Sequence, residues 1–349
     1  MSQGIKINNW VIGNGYPTYI IAEMSANHNH DYNKAVKIIE AAKEVGADAI
    51  KLQTYTPDTM TIDCDNKYFR ISGTIWEGKK LYELYKEAYT PWEWHPKLKH
   101  VAEKLGLDFF STPFDISAVD FLETLDVCAY KIASFEVVDI PLLRRIAQTG
   151  KPIIMSTGMA SLAEIDEAVQ AIKAECNDQI VLLKCTSAYP APPEEANLKT
   201  IPHMAKAFGV PTGLSDHTLG SVVAVGAVAL GACIIEKHFT LSRNDCGPDS
   251  SFSMEPHEFK QMVDDVRTVE KAIGHVSYDL TESQKESCVF RRSLFVIKDM
   301  KAGDEFTEEN VKSIRPGFGL HTRHSEDILG RRASYNLTRG TPLSWDNIG

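Results

Sequence analysis

The chain has 349 residues, of which 43% are hydrophobic and 24% are charged. These proportions are typical of a globular protein with a large core, and the length favours a large domain joined to a smaller one. The formal net charge of −10 makes nucleic acid a poor partner, because an acidic chain repels a phosphate backbone. A small anionic substrate stays compatible with this charge, since a pocket can be locally basic.

We expect a cytoplasmic protein without a membrane segment. The first residues, MSQGIKINNW, lack the apolar segment of a signal peptide. The most apolar run, residues 222–235, contains Gly226 and Gly231 and is too short to span a bilayer, so we interpret it as a buried helix followed by a buried strand. The seven cysteines are scattered and form no CxxC pair, which predicts reduced thiols.

Short apolar runs alternate with longer amphipathic stretches through most of the chain. The predicted strands are residues 19–24, 49–54, 108–112, 129–134, 152–157, 181–186, 210–215 and 232–238, and the helical patterns between them include 33–45, 92–105, 162–174 and 219–230. This alternation predicts an α/β fold with a closed parallel (β/α)₈ barrel. A doubly wound open sheet is the alternative, weakened because no GxGxxG motif follows the first strand.

Polar residues cluster at the carboxyl ends of the predicted strands, which share one rim of a barrel and carry its active site. They are Glu23, Lys51, Gln53, Thr112, Lys131, Ser134, Ser156, Thr186, Ser215, His217, Glu236 and His238. Segments distant in sequence therefore converge on one rim, which indicates an enzyme.

Towards the C-terminus, the alternation of strands and helices is replaced by a pattern of short strands and turns. We predict a barrel domain over residues 1–277, a polar linker over 278–292 and a small domain of short strands and turns over 293–349. Within the small domain, KAGDEFTEENV and TRGTPLSWDNI resemble one turn-then-helix unit used twice. The long segment 64–96 is either a lid over the rim or a peripheral helix with an aromatic packing face.

His217 and His238 end adjacent predicted strands, which lie about 4.8 Å apart in a sheet. Two imidazoles at that spacing can bind one divalent metal such as Mn, Fe, Co or Zn, with positions left open for water or substrate. A single buried histidine is more often a satisfied core residue, but the pairing on one rim, with Asp216 and Glu236 nearby, favours a metal site.

Lys51 and Lys131 end the second and fourth strands, and a buried lysine needs an anionic partner. With the hydroxyls of Thr112, Ser134, Ser156 and Ser215 they form a candidate site for a phosphate and a carboxylate. Each hydroxyl taken alone is as well explained by helix capping. Lys184, on the sixth strand, is a candidate Schiff-base nucleophile, although alternation directs it away from the barrel interior.

Two carboxylates complete the candidate site. Glu23 ends the first strand and is a candidate acid, base or water-orienting group, whereas Asn29 and Asp31 nearby are typical of helix N-caps. Asp249 lies in a glycine-proline loop after the last strand and is a candidate ligand for sugar hydroxyls or metal-bound water, or else an ordinary Asx turn.

Taken in order, these motifs resemble the sialic acid synthase family across nearly the whole chain. The matching pieces are IIAEMSANH, ADAIKLQTY, FFSTPFD, AYKIASFE, PIIMSTGM, LLKCTSAYP, GLSDHT, GACIIEKHF, GPDSSFSM and IRPGFGLH. The resemblance implies a phosphoenolpyruvate-binding barrel joined to a small antifreeze-like (SAF) β-clip domain. It also implies a domain-swapped homodimer in which Arg315 contacts the sugar in the partner's active site.

Within the family, SANH, KCTSAYP, LYELYKEAYTPWEWH and RPGFGLH are similar to pseudaminic acid synthases, and Ser187 stands where neuraminate-type enzymes usually carry asparagine. The resemblance implies condensation of phosphoenolpyruvate with 2,4-diacetamido-2,4,6-trideoxy-L-altrose, for flagellin glycosylation or a surface polysaccharide. It implies Mn²⁺ (or Mg²⁺ or Co²⁺) on His217 and His238 as catalytic metal, catalytic roles for Glu23 and Lys131, and sugar contacts from Gln53, Tyr189 and Asp249. Legionaminic acid and N-acetylneuraminate synthases are the competitors.

Two other classes of function remain open. A Schiff-base aldolase on the same barrel would use Lys184 or Lys131 and neither metal nor phosphoenolpyruvate. A sugar-binding or ice-binding protein would place its function in residues 293–349, but ice binding needs a flat, regular, fairly apolar face and this segment is charged.

Overall fold

The computed structural model of the protein describes residues 4–73, 76–245 and 247–349. The chain folds into two compact units, the first ending at Gly274 and the second beginning at His275. Each unit has its own hydrophobic core.

Parallel strands form the centre of the first unit. After a hairpin of β1 (Ile5–Ile7) and β2 (Trp10–Ile12) come β3 (Tyr19–Glu23), β4 (Ala49–Thr54), β5 (Asp108–Pro113), β6 (Tyr130–Ile132), β7 (Ile153–Ser156), β8 (Ile180–Cys185), β9 (Thr212–Asp216) and β10 (Ile234–His238). Strands β3 to β10 pair in parallel with their neighbours, and β10 pairs with β3 to close the barrel. The predicted (β/α)₈ barrel is confirmed, and the open-sheet alternative is wrong because the sheet closes on itself.

Helices follow the strands and cover the barrel. They are α1 (Tyr32–Glu44), α2 (Pro57–Met60), α3 (Leu81–Ala88), α4 (His95–Lys104), α5 (Ile116–Thr124), α6 (Ile140–Ala147), α7 (Leu162–Ala174), α8 (Thr200–Phe208), α9 (Val222–Ala229) and α10 (Pro256–Ile273). Asp31 caps α1, as predicted, by accepting hydrogen bonds from two backbone N–H groups of its first turn. The capping role predicted for Asn29 is wrong, because Asn29 has a φ of 49° and its side chain instead donates to the carbonyl of Asp245 at 2.9 Å.

The apolar run 222–235 forms helix α9 and then strand β10, as predicted. Gly231, with a φ of 95°, makes the turn between them in a conformation that a residue with a side chain rarely adopts. Among residues 4–73, 76–245 and 247–349, no helix combines the length and apolarity needed to cross a membrane.

The second unit contains α11 (Glu282–Ser287), the antiparallel strands β11 (Ser293–Val296) and β12 (Val311–Ile314), and α12 (Ser325–Ile328). Within residues 278–292, the predicted linker, a capping box between Thr281 and Gln284 starts α11.

The two copies of the repeat predicted in the second unit each form a turn with the same hydrogen bond. The backbone N–H of Thr307 donates to the side chain of Asn310 at 2.8 Å, and that of Ser344 donates to Asn347 at 2.5 Å. The first copy is a turn and the second a single 3₁₀ turn, Trp345–Asn347, so the predicted helices are shorter than expected. In each copy the asparagine side chain accepts a hydrogen bond from the backbone at the start of the turn, as in a capping box, but only a single turn follows.

The buried histidine His95 makes barrel stability dependent on pH. It lies at the start of α4, where Nδ1 donates to the carbonyl of Pro91 at 3.3 Å and Nε2 accepts from the hydroxyl of Thr54 at 2.9 Å. Burial lowers the pKa of His95 to about 4. The unfolded chain takes up this proton near pH 6.5, whereas the folded chain does not. The free energy of unfolding is therefore unaffected by His95 above pH 6.5 and decreases by about 3 kcal/mol as the pH drops towards 4.

We expect His95→Gln to flatten the pH dependence of the urea midpoint between pH 6.5 and 4, measured by tryptophan fluorescence. His203→Gln, at an exposed position of α8, is the control and should keep the wild-type slope. Equal slopes for wild type and His95→Gln would contradict the assignment.

Candidate active site

Four charged side chains meet inside the barrel at the carboxyl ends of its strands, and we call them the charge cluster: Glu23, Lys51, Lys131 and Glu236. Nζ of Lys51 pairs with Glu23 and lies 3.8 Å from Oε2 of Glu236. Nζ of Lys131 lies 3.3 Å from Oε1 of Glu236. All four are nearly inaccessible, between 1% and 5% exposed, so their charges interact in a poorly solvated environment.

Burial and mutual attraction shift the proton affinities within the cluster. Burial raises the pKa of Glu23 despite the opposing charge of Lys51. Burial also lowers the pKa of Lys131, which its attraction to Glu236 only partly offsets. For Lys51, burial would lower the pKa, but Glu23 and Glu236 together raise it above the usual lysine value. The cluster is therefore a place where protons can be held or released.

Three of the predicted hydroxyls contact the charge cluster. Thr112 accepts a hydrogen bond from Lys51 at 3.1 Å, Ser156 accepts one from Lys131 at 2.7 Å, and Ser215 donates to Glu236 at 2.8 Å. Their predicted convergence with the lysines is observed, and it follows from the parallel register that aligns these strand ends.

A second group of donors surrounds Gly158, which follows β7. The backbone N–H of Gly158 donates to Ser134 at 3.0 Å. A Cβ built on Gly158 would lie 2.7 Å from the Ser134 hydroxyl and 2.3 Å from that of Ser187, so a side chain here would displace both hydroxyls. The Ser187 hydroxyl is buried and has no hydrogen-bond partner within the described ranges. Sequence reasoning used Ser187 only as a subtype signal and missed it as a site residue.

The structure changes the electrostatic interpretation of the two lysines. Their buried charges already have protein partners, Glu23 and Glu236, so an anionic ligand is not required to explain them. Glu236, which the sequence analysis used only as a carboxylate near the histidine pair, is the central member, since it approaches both lysines. Its spacing of two residues from His238 on one strand was the available signal, because alternate residues point the same way.

The predicted histidine pair, His217 and His238, lies beside the charge cluster. The two ring centroids are 5.4 Å apart. Nδ1 of His217 lies 2.8 Å from the carbonyl of Thr186 and therefore carries a proton, so that Nε2 is an electron-pair donor when the ring is neutral. Burial would lower the pKa of His217, but its interaction with Cys185 and the Thr186 carbonyl raises it. Nδ1 of His238 is buried and has no hydrogen-bond partner in the described part of the chain.

Cys185 lies beside the histidine pair, whereas Asp216 points away from it. Sγ of Cys185 lies 3.9 Å from Nδ1 of His217; burial would raise the pKa of this thiol, but His217 lowers it to about 7. Asp216, expected near His217, instead points between strands and helices, where its carboxylate lies 2.8 Å from Nζ of Lys237. The alternation of side chains along β9 places it on the opposite face from Ser215.

Aromatic rings cover the histidine pair. The ring of Tyr189 lies 4.3 Å from His217 and 6.2 Å from His238, and Phe252 lies 5.0 Å from His238. Trp76 lies 6.1 Å from Tyr189, and its indole N–H donates to the carbonyl of Pro248 at 3.1 Å. The segment 64–96 therefore contacts the site, which supports the lid interpretation over a purely peripheral one; Thr74 and Ile75 within it lie outside the described residues.

A hydrogen-bonded chain links Gln53 and Asp249, two of the residues predicted to contact a sugar. Nε2 of Gln53 donates to the hydroxyl of Ser25 at 2.9 Å, and that hydroxyl donates to Asp249. Gln53 also lies 3.3 Å from Glu23, so the chain continues into the charge cluster. Asp249 is therefore part of the site and not an isolated turn. Ser25 was missed as a site residue, because nothing in its spacing indicates that its hydroxyl turns inwards.

Lys184, Glu136 and Arg315 lie outside the charge cluster and the histidine pair. Lys184 is half-buried on the strand face opposite Cys185, as alternation indicates, and donates to the carbonyl of Cys185 at 2.7 Å. Glu136, not predicted, has a carboxylate oxygen that is buried without a hydrogen-bond partner among the described residues, and burial raises its pKa to about 7. Arg315 follows β12 in the second unit and is exposed; its contact with a partner subunit stays a prediction.

Comparison with known proteins decides the family. Residues 38–278 match the model of the NeuB family. The chain belongs to the NeuB family. Residues 291–349 match the SAF domain, so the predicted barrel with a C-terminal SAF domain is confirmed.

Characterised relatives cover nearly the whole chain. This NeuB-family chain is 48% identical to pseudaminic acid synthase of Campylobacter jejuni over 93% of its own length and 95% of that protein. It is 38% identical to N,N'-diacetyllegionaminic acid synthase of Legionella pneumophila, over 96% of each. A solved N-acetylneuraminic acid synthetase from Leptospira borgpetersenii, in complex with citrate, is 35% identical with a TM-score of 0.74, covering 82% of this chain and 95% of that one.

Proposed function

We propose that the protein is a pseudaminic acid synthase. It condenses phosphoenolpyruvate with the open-chain aldehyde of 2,4-diacetamido-2,4,6-trideoxy-L-altrose and water, and releases pseudaminic acid and phosphate. The observation that carries the reaction type is a charge cluster with hydroxyl donors that lies directly beside a histidine pair with uncommitted nitrogens. The subtype is supported by the higher identity to a pseudaminic acid synthase, 48%, than to a legionaminic acid synthase, 38%.

The phosphoenolpyruvate end of the site is supported by the donors that surround the charge cluster. Lys51 and Lys131 supply positive charge, and Thr112, Ser134, Ser156 and Ser215 supply hydroxyls. The unpartnered hydroxyl of Ser187, beside Gly158, is an additional donor that an anionic oxygen would satisfy. Because Glu23 and Glu236 already offset the lysines, phosphoenolpyruvate competes with them for the same charges.

The donor set of the histidine pair fits a divalent metal. His217 presents Nε2 because its other nitrogen is occupied by Thr186, and His238 has a buried Nδ1 without a partner in the described ranges. Two neutral imidazoles suit a borderline divalent ion, and we propose Mn²⁺, with Mg²⁺ or Co²⁺ as substitutes. When bound, the ion supplies Lewis acidity that polarises the aldehyde oxygen.

The residues of the chain then perform the remaining tasks. Lys51 and Lys131 hold phosphoenolpyruvate so that its C3 faces the aldehyde carbon, where the new carbon–carbon bond forms. Water adds to C2, and Glu23, whose pKa is raised by burial, orients this water and takes its proton. Glu23 passes this proton on to the oxygen of the former aldehyde, whose C=O double bond opened when the carbon–carbon bond formed. The C2–O bond to phosphate then breaks, the remaining water proton leaves with phosphate, C2 becomes a carbonyl, and the ulosonic acid closes its ring. Gln53, Tyr189 and Asp249 position the sugar.

The assembly and location of the enzyme are part of the proposal. A domain-swapped homodimer would bring Arg315 of the partner subunit to the sugar. We place the reaction in the cytoplasm, because phosphoenolpyruvate is a metabolite of that compartment.

A phosphate-release assay tests the proposal. Purified protein with phosphoenolpyruvate and Mn²⁺ is given the altrose derivative, the legionaminic acid precursor or N-acetylmannosamine, with EDTA as control. We expect release with the altrose derivative only, abolished by EDTA. Release with another sugar would contradict the subtype, and no release with any sugar from folded, metal-loaded protein would contradict the reaction.

A further inference from the structure

Ser25 follows β3 directly and has a backbone conformation that serine rarely adopts. Its φ is 45°, in the left-handed region where the Cβ of an L residue crowds the backbone and glycine does not. The residue is buried, with 2% of its surface exposed. A strained serine at a functional rim indicates that its hydroxyl has a role that glycine cannot fill.

The hydroxyl of Ser25 uses both of its hydrogen-bonding capacities. It accepts from Nε2 of Gln53 at 2.9 Å and donates to Oδ2 of Asp249. Gln53 belongs to β4 and Asp249 to the loop after β10, so one hydroxyl joins two segments that are distant in sequence. The backbone of Ser25 is also held in place, since its N–H donates to the neighbouring carboxylate of Glu23 at 3.1 Å.

Each partner of Ser25 keeps an acceptor oxygen for a ligand. Within the described part of the chain, the hydrogen bonds to the carboxylate of Asp249 fall on Oδ2. The side chain of Gln53 bonds through Nε2. Oδ1 of Asp249 and Oε1 of Gln53 therefore match N–H and O–H donors, which a diacetamido sugar carries on its amide and hydroxyl groups.

We propose that Ser25 is a positioning residue that sets selectivity for the amino sugar. It orients Gln53 and Asp249 so that their free oxygens form a fixed pair of acceptors, and it contributes nothing to phosphoenolpyruvate binding. This inference rests on the proposed function and names the element that discriminates between acetamido sugars.

The test compares Ser25→Gly and Ser25→Ala with wild type. Both variants are expected to raise KM for the altrose derivative roughly tenfold, the usual effect of losing one buried hydrogen-bonding partner. KM for phosphoenolpyruvate should not change, and preference for the altrose derivative over the legionaminic acid precursor should fall by a similar factor. Both variants lose the same hydrogen bonds, but Ser25→Gly also removes the backbone strain that Ser25→Ala keeps, so Ser25→Gly should have the higher thermal midpoint of the two.

A matched control is Cys176→Gly, which relieves another left-handed residue, with a φ of 60°, away from the site; it should leave both KM values unchanged. A purely structural role for Ser25 would raise both KM values together. That result, or an unchanged sugar KM and preference in Ser25→Gly, would overturn the proposal.

Calorimetric titration of the altrose derivative into metal-loaded protein without phosphoenolpyruvate separates this inference from the proposed function. If wild type binds the sugar but releases no phosphate, the proposed function fails. Roughly tenfold weaker binding by Ser25→Gly would then still support the positioning role, and equal binding by the two proteins would overturn it.

Discussion

Replacing His217 or His238 with alanine is expected to lower phosphate release about 10³-fold while leaving the barrel folded. Lewis-acid stabilisation by a metal is worth several kcal/mol, and each 1.36 kcal/mol corresponds to a tenfold change in rate. The fold should survive in both variants, because Nδ1 of His238 makes no hydrogen bond that the described residues would lose, and His217→Ala removes a hydrogen bond to the carbonyl of Thr186. The measurements are phosphate release, the thermal midpoint and Mn²⁺ bound per chain after equilibrium dialysis.

His203→Ala, at an exposed position of α8, is the control for histidine removal and should keep full activity and metal content. The decisive variant is the double substitution of His217 and His238. Full activity of that variant after metal removal would disprove the role of the metal, and full activity with metal still bound would place the metal elsewhere.

Replacing Glu236 with glutamine is expected to destabilise the unliganded protein and to make its stability depend on phosphoenolpyruvate. Within the described residues, Glu236 is the ion-pair partner of Lys131, and it also approaches Lys51. Removing one partner of a buried ion pair costs about 3–5 kcal/mol, because the remaining charge stays in a poorly solvated site. The same change removes a negative charge that competes with phosphoenolpyruvate for the lysines, so the ligand should bind more tightly and restore more stability than in wild type.

Thermal midpoints measured over a series of phosphoenolpyruvate concentrations test this expectation. Glu194→Gln, on the exposed surface, serves as control and should follow the wild-type curve. If Glu236→Gln is as stable as wild type, the buried lysines do not depend on Glu236. If phosphoenolpyruvate stabilises the variant no more than it stabilises wild type, the lysines do not hold the ligand.

The amino-acid sequence alone determined the barrel and the membership of its rim. Buried parallel strands appear as continuous apolar runs of a few residues, and such runs alternate with helical patterns only in a restricted set of folds. Once the strands are placed, the carboxyl ends converge, so Lys51, Lys131, His217 and His238 could be assigned to one site without coordinates. These residues meet because each ends a strand of the same barrel, and the positions of the strands can be recognised in the sequence.

The tertiary structure decided which of these groups are free and which are already paired. Glu236 offsets the charge of both lysines because its side chain lies within 3.8 Å of Lys51 and 3.3 Å of Lys131 inside the barrel. Asp216 turns outwards to Lys237 because side chains alternate along β9. Loop residues escaped prediction for a different reason. The roles of Ser25 and Asn29 depend on left-handed backbone conformations stabilised by contacts with segments more than two hundred residues away, and local sequence carries no record of such contacts.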